Sequence, residues 1–315
     1  METIAKSITN VIGHTPLLEL SNFVKKYNLN SRICAKLECL NPTGSVKDRA
    51  ALNMIQNAIS KGTLVPGTPQ TPSTSVIIEE TSGNTGIGLA SIAASLHIRC
   101  ICVMPENMSF ERQQILHAYG AEVLLTPAKL GMQGAVDKVA ELSAKTPNSF
   151  VPSQFDNPAN PDAHYLTTGP EIWTQTNEMV SVFVSTIGTG GTICGAGKYL
   201  KEKNPAIKVV GVEPAESPLL LEGKTGTHGI QGIGANFIPS NYDPTYVDEV
   251  LPCPTEQAFL YAKEIVHEGI LCGISSGAAL WAAHELAKRP EYIEKLIVCV
   301  FPDSGTRYLT TKLYS

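Results

Sequence analysis

The sequence predicts an α/β fold with mostly parallel sheets that are covered by helices. Short β-branched segments alternate with helical segments along most of the chain, which is the order of elements that parallel sheets produce. The β-branched segments are apolar enough to be buried strands, as expected when helices cover both faces of a sheet. Four polar loops each precede a helix, the position at which open parallel sheets bind ligands.

Seven segments rich in Val and Ile predict strands, at residues 33–38, 76–80, 99–104, 122–125, 180–186, 208–213 and 296–301. Helical segments between and around them predict helices at residues 46–61, 84–96, 109–119, 132–144, 190–203, 255–267 and 275–287. The Pro/Asn-rich stretch 157–161 breaks regular structure and predicts a boundary between two lobes. The Pro/Ser/Thr-rich stretch 65–75 predicts an exposed loop.

Composition excludes several classes of protein. The net charge is -5, only 6% of the residues are aromatic, and no basic stripe is present, so we expect no nucleic-acid partner. No signal pattern and no apolar run of about 20 residues is present, so we expect a cytoplasmic protein without a membrane span. The eight cysteines form no Cys-x-x-Cys pair and predict buried, reduced thiols. The seven histidines lack the spacing of metal ligands, so no metal site is predicted.

Lys47 lies where a Pro/Gly turn, residues 41–46, gives way to a predicted helix. A lysine at such a position could carry a covalent cofactor. The alternative is a solvated surface lysine beside an ion pair of Asp48 and Arg49, since most lysines are exposed.

The loop 81–88 follows the predicted strand 76–80 and contains three glycines. Glycines let the backbone approach a ligand closely, and the helix that begins near Asn84 presents free N–H groups to an anion such as a carboxylate. The alternative is an ordinary helix cap formed by Thr81 and Ser82, which leaves the three glycines without an explanation.

Residues 188–192, Gly-Thr-Gly-Gly-Thr, follow the predicted strand 180–186. Glycines that free the backbone, threonine hydroxyls and a helix N-terminus together predict a site for a single phosphate. A dinucleotide fingerprint with Glu213 as the ribose-binding acid is the rival interpretation, but Ile193 occupies its sixth position where glycine is required.

Ser275 lies in a fourth loop, residues 273–279, which also opens a helix. A plain N-cap serine is the alternative to a functional role at this position.

Together these loops resemble the pyridoxal-phosphate enzymes of the tryptophan-synthase-β type (fold type II), and among them the cysteine synthases (O-acetylserine sulfhydrylases). The resemblance extends over essentially the whole chain, because further motifs follow in the family's order at residues 12–17, 154–161, 167–173, 231–235 and 304–308. It implies a two-lobed molecule, with residues 1–45 and 160–315 in a larger lobe and residues 46–159 in a smaller one.

The resemblance also implies a role for each loop. Lys47 would form the Schiff base with pyridoxal 5'-phosphate and then act as the catalytic base. The other cofactor-binding residues would be Asn84, Gly188, Thr189, Gly190, Gly191, Thr192 and Ser275. The substrate carboxylate would bind at Thr81, Ser82, Gly83, Asn84, Thr85 and Gln154. Because the Ser275 hydroxyl is neutral, it cannot hold a protonated pyridine as an aspartate would, which favours β-replacement over transamination.

The implied reaction converts O-acetyl-L-serine and sulfide into L-cysteine and acetate through an aminoacrylate. Cystathionine β-synthase chemistry with serine and homocysteine, and cysteine desulfhydrase activity, are the alternatives. Glu80 stands where the family usually has proline or a small residue, and the stretch 68–75 resembles an insertion. Glu80 could point away from the carboxylate site or alter the choice of substrate, and no role is assigned to the stretch 68–75.

The resemblance further implies a homodimer and a possible partner, the C-terminal tail of serine acetyltransferase. A protein that kept the fold but serves only as a weakly catalytic partner of that enzyme is the non-enzymatic alternative. The presence of Lys47 argues against it.

Overall fold

The computed structural model describes residues 4–81 and 83–314. These residues form two compact units. The smaller unit contains the residues up to Ile12 together with Lys47–Ala159, and the larger unit contains Gly13–Val46 and Asn160–Ser315. The N-terminal residues group with the smaller unit, and not with the residues that follow them, because Ile12 packs against its hydrophobic core.

The smaller unit is built on a four-stranded parallel sheet in the order β5-β4-β3-β6. Its strands are β3 (Val76–Glu80), β4 (Arg99–Pro105), β5 (Glu122–Thr126) and β6 (Ser149–Phe150). Its helices are α2 (Lys47–Ser60), α3 (Asn84–Ser95), α4 (Phe110–Ala118) and α5 (Gly131–Lys145).

Helices cover both faces of this sheet. On one face, Ile77 of β3 and both Cys100 and Cys102 of β4 are buried in a core shared with α2 and α3. On the other face, the alternate residues of β3 and β4 pack against Ala135 and Val139 of α5. Cys100 and Cys102 therefore act as small apolar core side chains, and no metal-binding cluster occurs among the described residues.

The larger unit is built on a six-stranded sheet in the order β1-β2-β10-β7-β8-β9, in which only the β1–β2 pair is antiparallel. Its strands are β1 (Leu17–Glu19), β2 (Arg32–Leu37), β7 (Val180–Thr186), β8 (Lys208–Pro214), β9 (Glu249–Cys253) and β10 (Leu296–Phe301). Its helices are α1 (Ser21–Lys26), α6 (Ala159–Ala163), α7 (Gly169–Gln175), α8 (Gly191–Lys203), α9 (Leu219–Glu222), α10 (Thr255–Glu264) and α11 (Ile274–Ala287). Ala159, the first residue of α6, is the last residue of the smaller unit.

Two hydrophobic cores lie on opposite faces of this sheet. One joins alternate residues of the central strands to α10 and α11, and the other joins the intervening residues to α7 and α8. Each large apolar side chain buried in this way contributes about 1.5–3 kcal/mol to stability. The strands are buried on both faces, which explains their continuous Val/Ile composition.

The predicted α/β class with mostly parallel sheets is confirmed. All seven predicted strands and seven predicted helices occur, with ends that differ by a few residues. The sequence did not predict β1, β6 and β9, or the short helices α1, α6, α7 and α9. In the described part of the chain, no helix has both the length and the apolar character that a membrane span requires.

The stretch 65–75 has no helix or strand, as predicted. It is nevertheless fixed to the end of α3, because the Gly67 N–H donates to the carbonyl of Leu96 and the Ser73 N–H donates to the carbonyl of His97.

Candidate active site

Lys47 is the first residue of α2, at the point where the chain passes from the larger unit into the smaller one. Its side chain is half-buried, and its neighbours Asp48 and Arg49 are both buried. Gly44 supplies the turn before it with φ of 84°, a conformation that glycine adopts without a steric penalty. The predicted turn-to-helix position of Lys47 therefore occurs in the structure, with the lysine in a partly enclosed setting.

A buried polar cluster in the larger unit anchors the start of this turn. The fully buried carboxylate of Glu38 accepts hydrogen bonds from Thr15 Oγ1 at 2.6 Å and from Asn41 Nδ2 at 2.7 Å. The Asn41 side chain in turn accepts the Gly13 N–H at 2.9 Å. Sequence analysis missed this cluster, although Asn41 and Gly13 both lie within motifs that it singled out.

The 81–88 loop lies at the carboxyl end of β3, and α3 begins at Asn84 with Gly83 as its N-cap. The proposed cap by Thr81 and Ser82 is not the N-cap of this helix; Ser82 itself lies outside the described residues. Because glycine has no side chain, the N-cap residue leaves the first N–H groups of α3 for another acceptor.

Different surroundings explain why glycine occurs at the three positions of this loop. A Cβ at Gly86 would lie 2.7 Å from Thr81 Cγ2, and one at Gly88 would lie 3.2 Å from Ala51 of α2 and 3.4 Å from the Lys47 carbonyl oxygen. Packing therefore accounts for Gly86 and Gly88 and brings the start of α2 against α3. A Cβ at Gly83 would meet no described atom within 4 Å, so Gly83 is the glycine that borders open space.

Thr85 and Gln154 are brought together within the smaller unit. The Thr85 hydroxyl donates a 2.6 Å hydrogen bond to Gln154 Oε1. The backbone N–H of Gln154 donates to Glu79 Oε1 at 3.2 Å, and that of Ser153 donates to Glu79 Oε2 at 2.9 Å. Sequence analysis predicted Thr85 and Gln154 as site residues and missed Glu79, which sits among the apolar residues of β3.

The two glutamates at the end of β3 have unusual environments. Burial and the neighbouring Glu80 raise the pKa of Glu79 to about 8, against the opposing effect of the two N–H donors. Glu80 is half-buried, and burial also raises its pKa, with a further contribution from Asp156. Burial therefore disfavours the charged form of Glu80 beside the loop.

Residues 188–190 lie between β7 and α8 in the larger unit, and Gly191 and Thr192 are the first two residues of α8. Gly190 is the N-cap of α8 with φ of 81°, a left-handed conformation that favours glycine. A Cβ at Gly188 would lie 2.5 Å from the Gly232 carbonyl oxygen, and one at Gly191 would lie 2.0 Å from Asn160 Oδ1. Close packing therefore requires glycine at positions 188 and 191. Because Gly190 is also a glycine, the N-cap residue of α8 has no side chain to cap the helix.

Asn160 and His164 support this loop from α6 and the π-helical turn that follows it. The buried Asn160 side chain donates to Thr189 Oγ1 at 2.9 Å, and Thr192 Oγ1 lies 3.3 Å from His164 Nε2. Sequence analysis did not predict either support, although the motif 154–161 contains Asn160. Both threonines are therefore held in place by side chains rather than left free to rotate.

The dinucleotide interpretation of this region also fails on structural grounds. The carboxylate of Glu213 accepts the backbone N–H groups of Leu220 at 2.8 Å and Leu221 at 3.1 Å. Both carboxylate oxygens are therefore engaged by backbone N–H groups at the start of α9, and neither serves as a ribose acceptor.

Ser275 is the second residue of α11, and Gly273 is the N-cap of that helix. The interpretation of Ser275 as a plain N-cap serine is therefore wrong. Its side chain is buried, and Gly273 permits close packing because a Cβ there would lie 2.0 Å from Asp303 Oδ1. The glycine N-cap recurs at α3, α8 and α11, the three helices that follow the glycine-rich loops.

The family model described as "Pyridoxal-phosphate dependent enzyme" matches residues 8–303. The chain belongs to this family.

Pyridoxal-phosphate enzymes of known name align with the chain along its whole length. It is 45% identical to cysteine synthase B of Campylobacter jejuni over 99% of both chains. It is 47% identical to a probable cysteine synthase of Bacillus subtilis, over 100% of this chain and 99% of the relative. The crystal structure of a cysteine synthase from Entamoeba histolytica matches with a TM-score of 0.94 and 44% identity, covering 99% of this chain and 91% of that one.

The described residues fit the cofactor of the family. A phosphate requires several N–H donors at one place, and the first turn of α8 presents them behind a glycine N-cap. The cradle is closed to side chains, since a Cβ at Gly188 or Gly191 would clash. Lys47 carries an amine, a group that can condense with an aldehyde, and the buried Ser275 carries a neutral hydroxyl.

Proposed function

We propose that this protein is a cysteine synthase, which makes L-cysteine and acetate from O-acetyl-L-serine and sulfide. The observation that carries the proposal is the match to relatives named cysteine synthase, at 45–47% identity over 99% of their length. The chemistry of the described residues agrees with it, because the chain offers an amine, a phosphate cradle and a neutral hydroxyl for the ring nitrogen.

In this proposal, each residue that the resemblance assigned to the cofactor holds one part of it. Lys47 Nζ would bond to the aldehyde, Asn84 would donate to the ring hydroxyl, and Ser275 would contact the pyridine nitrogen. The phosphate binds to the cradle formed by Gly188, Thr189, Gly190, Gly191 and Thr192. When bound, pyridoxal phosphate withdraws electrons from the α-carbon of the amino acid, so that its proton and the β-substituent can leave.

Lys47 has a second proposed task, the removal of the substrate's Cα proton. A lysine amine can remove a proton when it lies next to the C–H bond in its unprotonated form. Lys47 is half-buried at the start of α2.

The substrate carboxylate binds, in this proposal, at the start of α3. Thr81, Ser82, Gly83, Asn84, Thr85 and Gln154 are the proposed binding residues. Support comes from the glycine N-cap of α3, which leaves N–H groups for an anion, and from the hydrogen bond between Thr85 and Gln154. Fixing the carboxylate there aligns the Cα–H bond for cleavage.

Assays that pair each amino-acid donor with each thiol test the proposal. The purified, cofactor-saturated enzyme is supplied with O-acetylserine or serine, and with sulfide or homocysteine, while cysteine and cystathionine are quantified. We expect O-acetylserine with sulfide to be the fastest pair. Turnover of serine with homocysteine but no cysteine from O-acetylserine would instead identify a cystathionine β-synthase, and sulfide release from cysteine as the fastest reaction would identify a desulfhydrase.

The absorbance spectrum distinguishes an enzyme from a purely structural partner of serine acetyltransferase. We expect a visible absorbance band from bound cofactor; a protein without this band after cofactor addition would support the non-enzymatic alternative.

We also propose a cytoplasmic homodimer that can bind the C-terminal tail of serine acetyltransferase. All eight cysteines are free thiols, which agrees with a reducing compartment. The proposed carboxylate site would accept a peptide C-terminus as well as a substrate. Light scattering tests the dimer, and competition between a peptide with a free C-terminal carboxylate and O-acetylserine tests the tail.

A further inference from the structure

Glu79 is a fully buried acid whose two carboxylate oxygens each hold one backbone N–H of the same turn. Oε2 accepts from Ser153 at 2.9 Å, and Oε1 accepts from Gln154 at 3.2 Å. The side chain is 0% exposed. Burying an acid is unfavourable unless its hydrogen bonds are satisfied. These two hydrogen bonds therefore stabilise Glu79 in the interior of the smaller unit.

The turn that Glu79 holds has a strained backbone. Ser153 has φ of 52°, in the left-handed region that non-glycine residues rarely occupy. Such a conformation persists only where surrounding contacts fix it. Besides the bond to Glu79, the Ser153 carbonyl accepts the N–H groups of Asp156 and Asn157, both at 2.9 Å. The turn is thus held at the N–H of Ser153 and at its carbonyl.

The same turn contains Gln154, a proposed ligand of the substrate carboxylate. Glu79 fixes its backbone, while Thr85 Oγ1 fixes its side chain at 2.6 Å. Glu79 lies near the end of β3, and Thr85 lies in the first turn of α3. The two contacts therefore tie Gln154 to the strand and to the helix that flank the carboxylate loop.

We propose that Glu79 is a positioning residue for the substrate carboxylate: it holds the Ser153–Gln154 backbone so that the Gln154 amide stays at the start of α3. The inference rests on the proposed function. Glu79 does not touch the substrate, so its loss weakens carboxylate binding more than it slows the chemical step.

Glu79→Gln tests the proposal with little change of shape. The carboxamide keeps one acceptor oxygen and places an NH2 group against the other N–H. Glu213→Gln is the matched control, because Glu213 is also buried and also accepts two backbone N–H groups, from Leu220 and Leu221. Both variants lose a comparable buried contact, but only one of these contacts holds Gln154.

Steady-state kinetics and amide hydrogen exchange are measured on each cofactor-saturated variant. In Glu79→Gln we expect the KM for O-acetylserine to rise about tenfold, with kcat and the KM for sulfide changed by less than about twofold. Hydrogen exchange at the Ser153 and Gln154 amides should accelerate in Glu79→Gln and stay at the wild-type rate in Glu213→Gln. An unchanged KM for O-acetylserine, or an equal rise in Glu213→Gln, overturns the proposal.

If Glu79→Gln does not fold, Glu79→Asp replaces it. The shorter acid keeps the carboxyl group but cannot reach both N–H groups, so the same selective rise in KM is expected. Failure of the proposed function is a distinct result: the wild-type enzyme would then make no cysteine. In that case, binding of L-cysteine followed by cofactor absorbance, together with amide exchange, still tests whether Glu79 positions Gln154. An amino acid that binds equally to wild type and Glu79→Gln then overturns the inference.

Discussion

The Thr85 hydroxyl donates a 2.6 Å hydrogen bond to the side-chain oxygen of Gln154, across 69 residues of sequence. This bond fixes the orientation of the Gln154 amide, with its oxygen towards Thr85 and its NH2 group away from it. The bond thus defines one wall of the proposed carboxylate site within the smaller unit.

Thr85→Val removes this bond while preserving the shape of the side chain. We expect the KM for O-acetylserine to rise about tenfold, because a buried acceptor loses its donor and the amide can turn. Thr85→Ser keeps the hydroxyl and should stay within about threefold of wild type. Steady-state kinetics measure both, and equal KM values for the Val and Ser variants would contradict this role of the hydroxyl.

Lys47→Ala should abolish the visible band of covalently bound cofactor and reduce kcat by at least about 10³-fold, since anchor and base are lost together. Absorbance spectra and cysteine formation are the measurements. Lys61→Ala is the control, because Lys61 is an exposed lysine just beyond the end of the same helix and its loss should change neither. Substantial cysteine synthesis by Lys47→Ala would show that Lys47 is neither the anchor of the cofactor nor the catalytic base.

Gly191→Ala should weaken binding of pyridoxal phosphate at least about tenfold, by fluorescence titration of the apoenzyme. The new Cβ would lie 2.0 Å from Asn160 Oδ1, so Asn160 must move and its bond to Thr189 breaks. The double variant Gly191→Ala/Asn160→Ala relieves the clash, and its affinity should match that of Asn160→Ala alone. If the two substitutions instead lower the cofactor affinity additively, the alanine at position 191 weakens binding at the N-terminus of α8 itself and not through Asn160.

His284 makes the stability of the larger unit sensitive to acid. Burial, with a smaller contribution from Lys288, lowers the pKa of His284 to about 4, and its Nδ1 is hydrogen-bonded to the hydroxyl of Tyr261. The unfolded chain binds the proton at pH near 6.5, so this contribution to stability is present above pH 6.5 and is lost as the pH falls towards 4.

We expect His284→Gln, whose amide oxygen can still accept from Tyr261, to lose less stability than wild type between pH 7 and pH 5. The difference should be about 2 kcal/mol in the free energy of unfolding, measured by urea titration at equal cofactor concentration. Parallel pH profiles for the two proteins would show that His284 does not carry this dependence.

The elements that sequence predicted best are those with a strong local signal. The strands 180–186 and 296–301 are long apolar runs, and both occur with the predicted bounds. Strand β9 was missed because Glu249–Cys253 is short and contains Pro252, which is typical of an edge strand. The structure places β9 at the edge of its sheet.

The glycine loops that precede helices could be predicted from the sequence. The side chains that support these loops could not, because they lie far away along the chain. Nothing local to Glu79 indicates that it binds the turn at Ser153, because the partners are 74 residues apart. The same holds for Asn160, which contacts Thr189 across 29 residues. A glycine pattern indicates positions at which a side chain would not fit. The side chain that supports such a position can be identified only from the folded structure.

The position of β10 has a consequence for the order in which the chain can assemble during synthesis. This strand, Leu296–Phe301, lies between β2 and β7 in the six-stranded sheet, so β2 has no parallel neighbour until residues 296–301 have been synthesised. The four strands of the smaller unit, in contrast, are all complete by Phe150. The proposed carboxylate loop can therefore fold well before the sheet that carries the proposed phosphate cradle is complete.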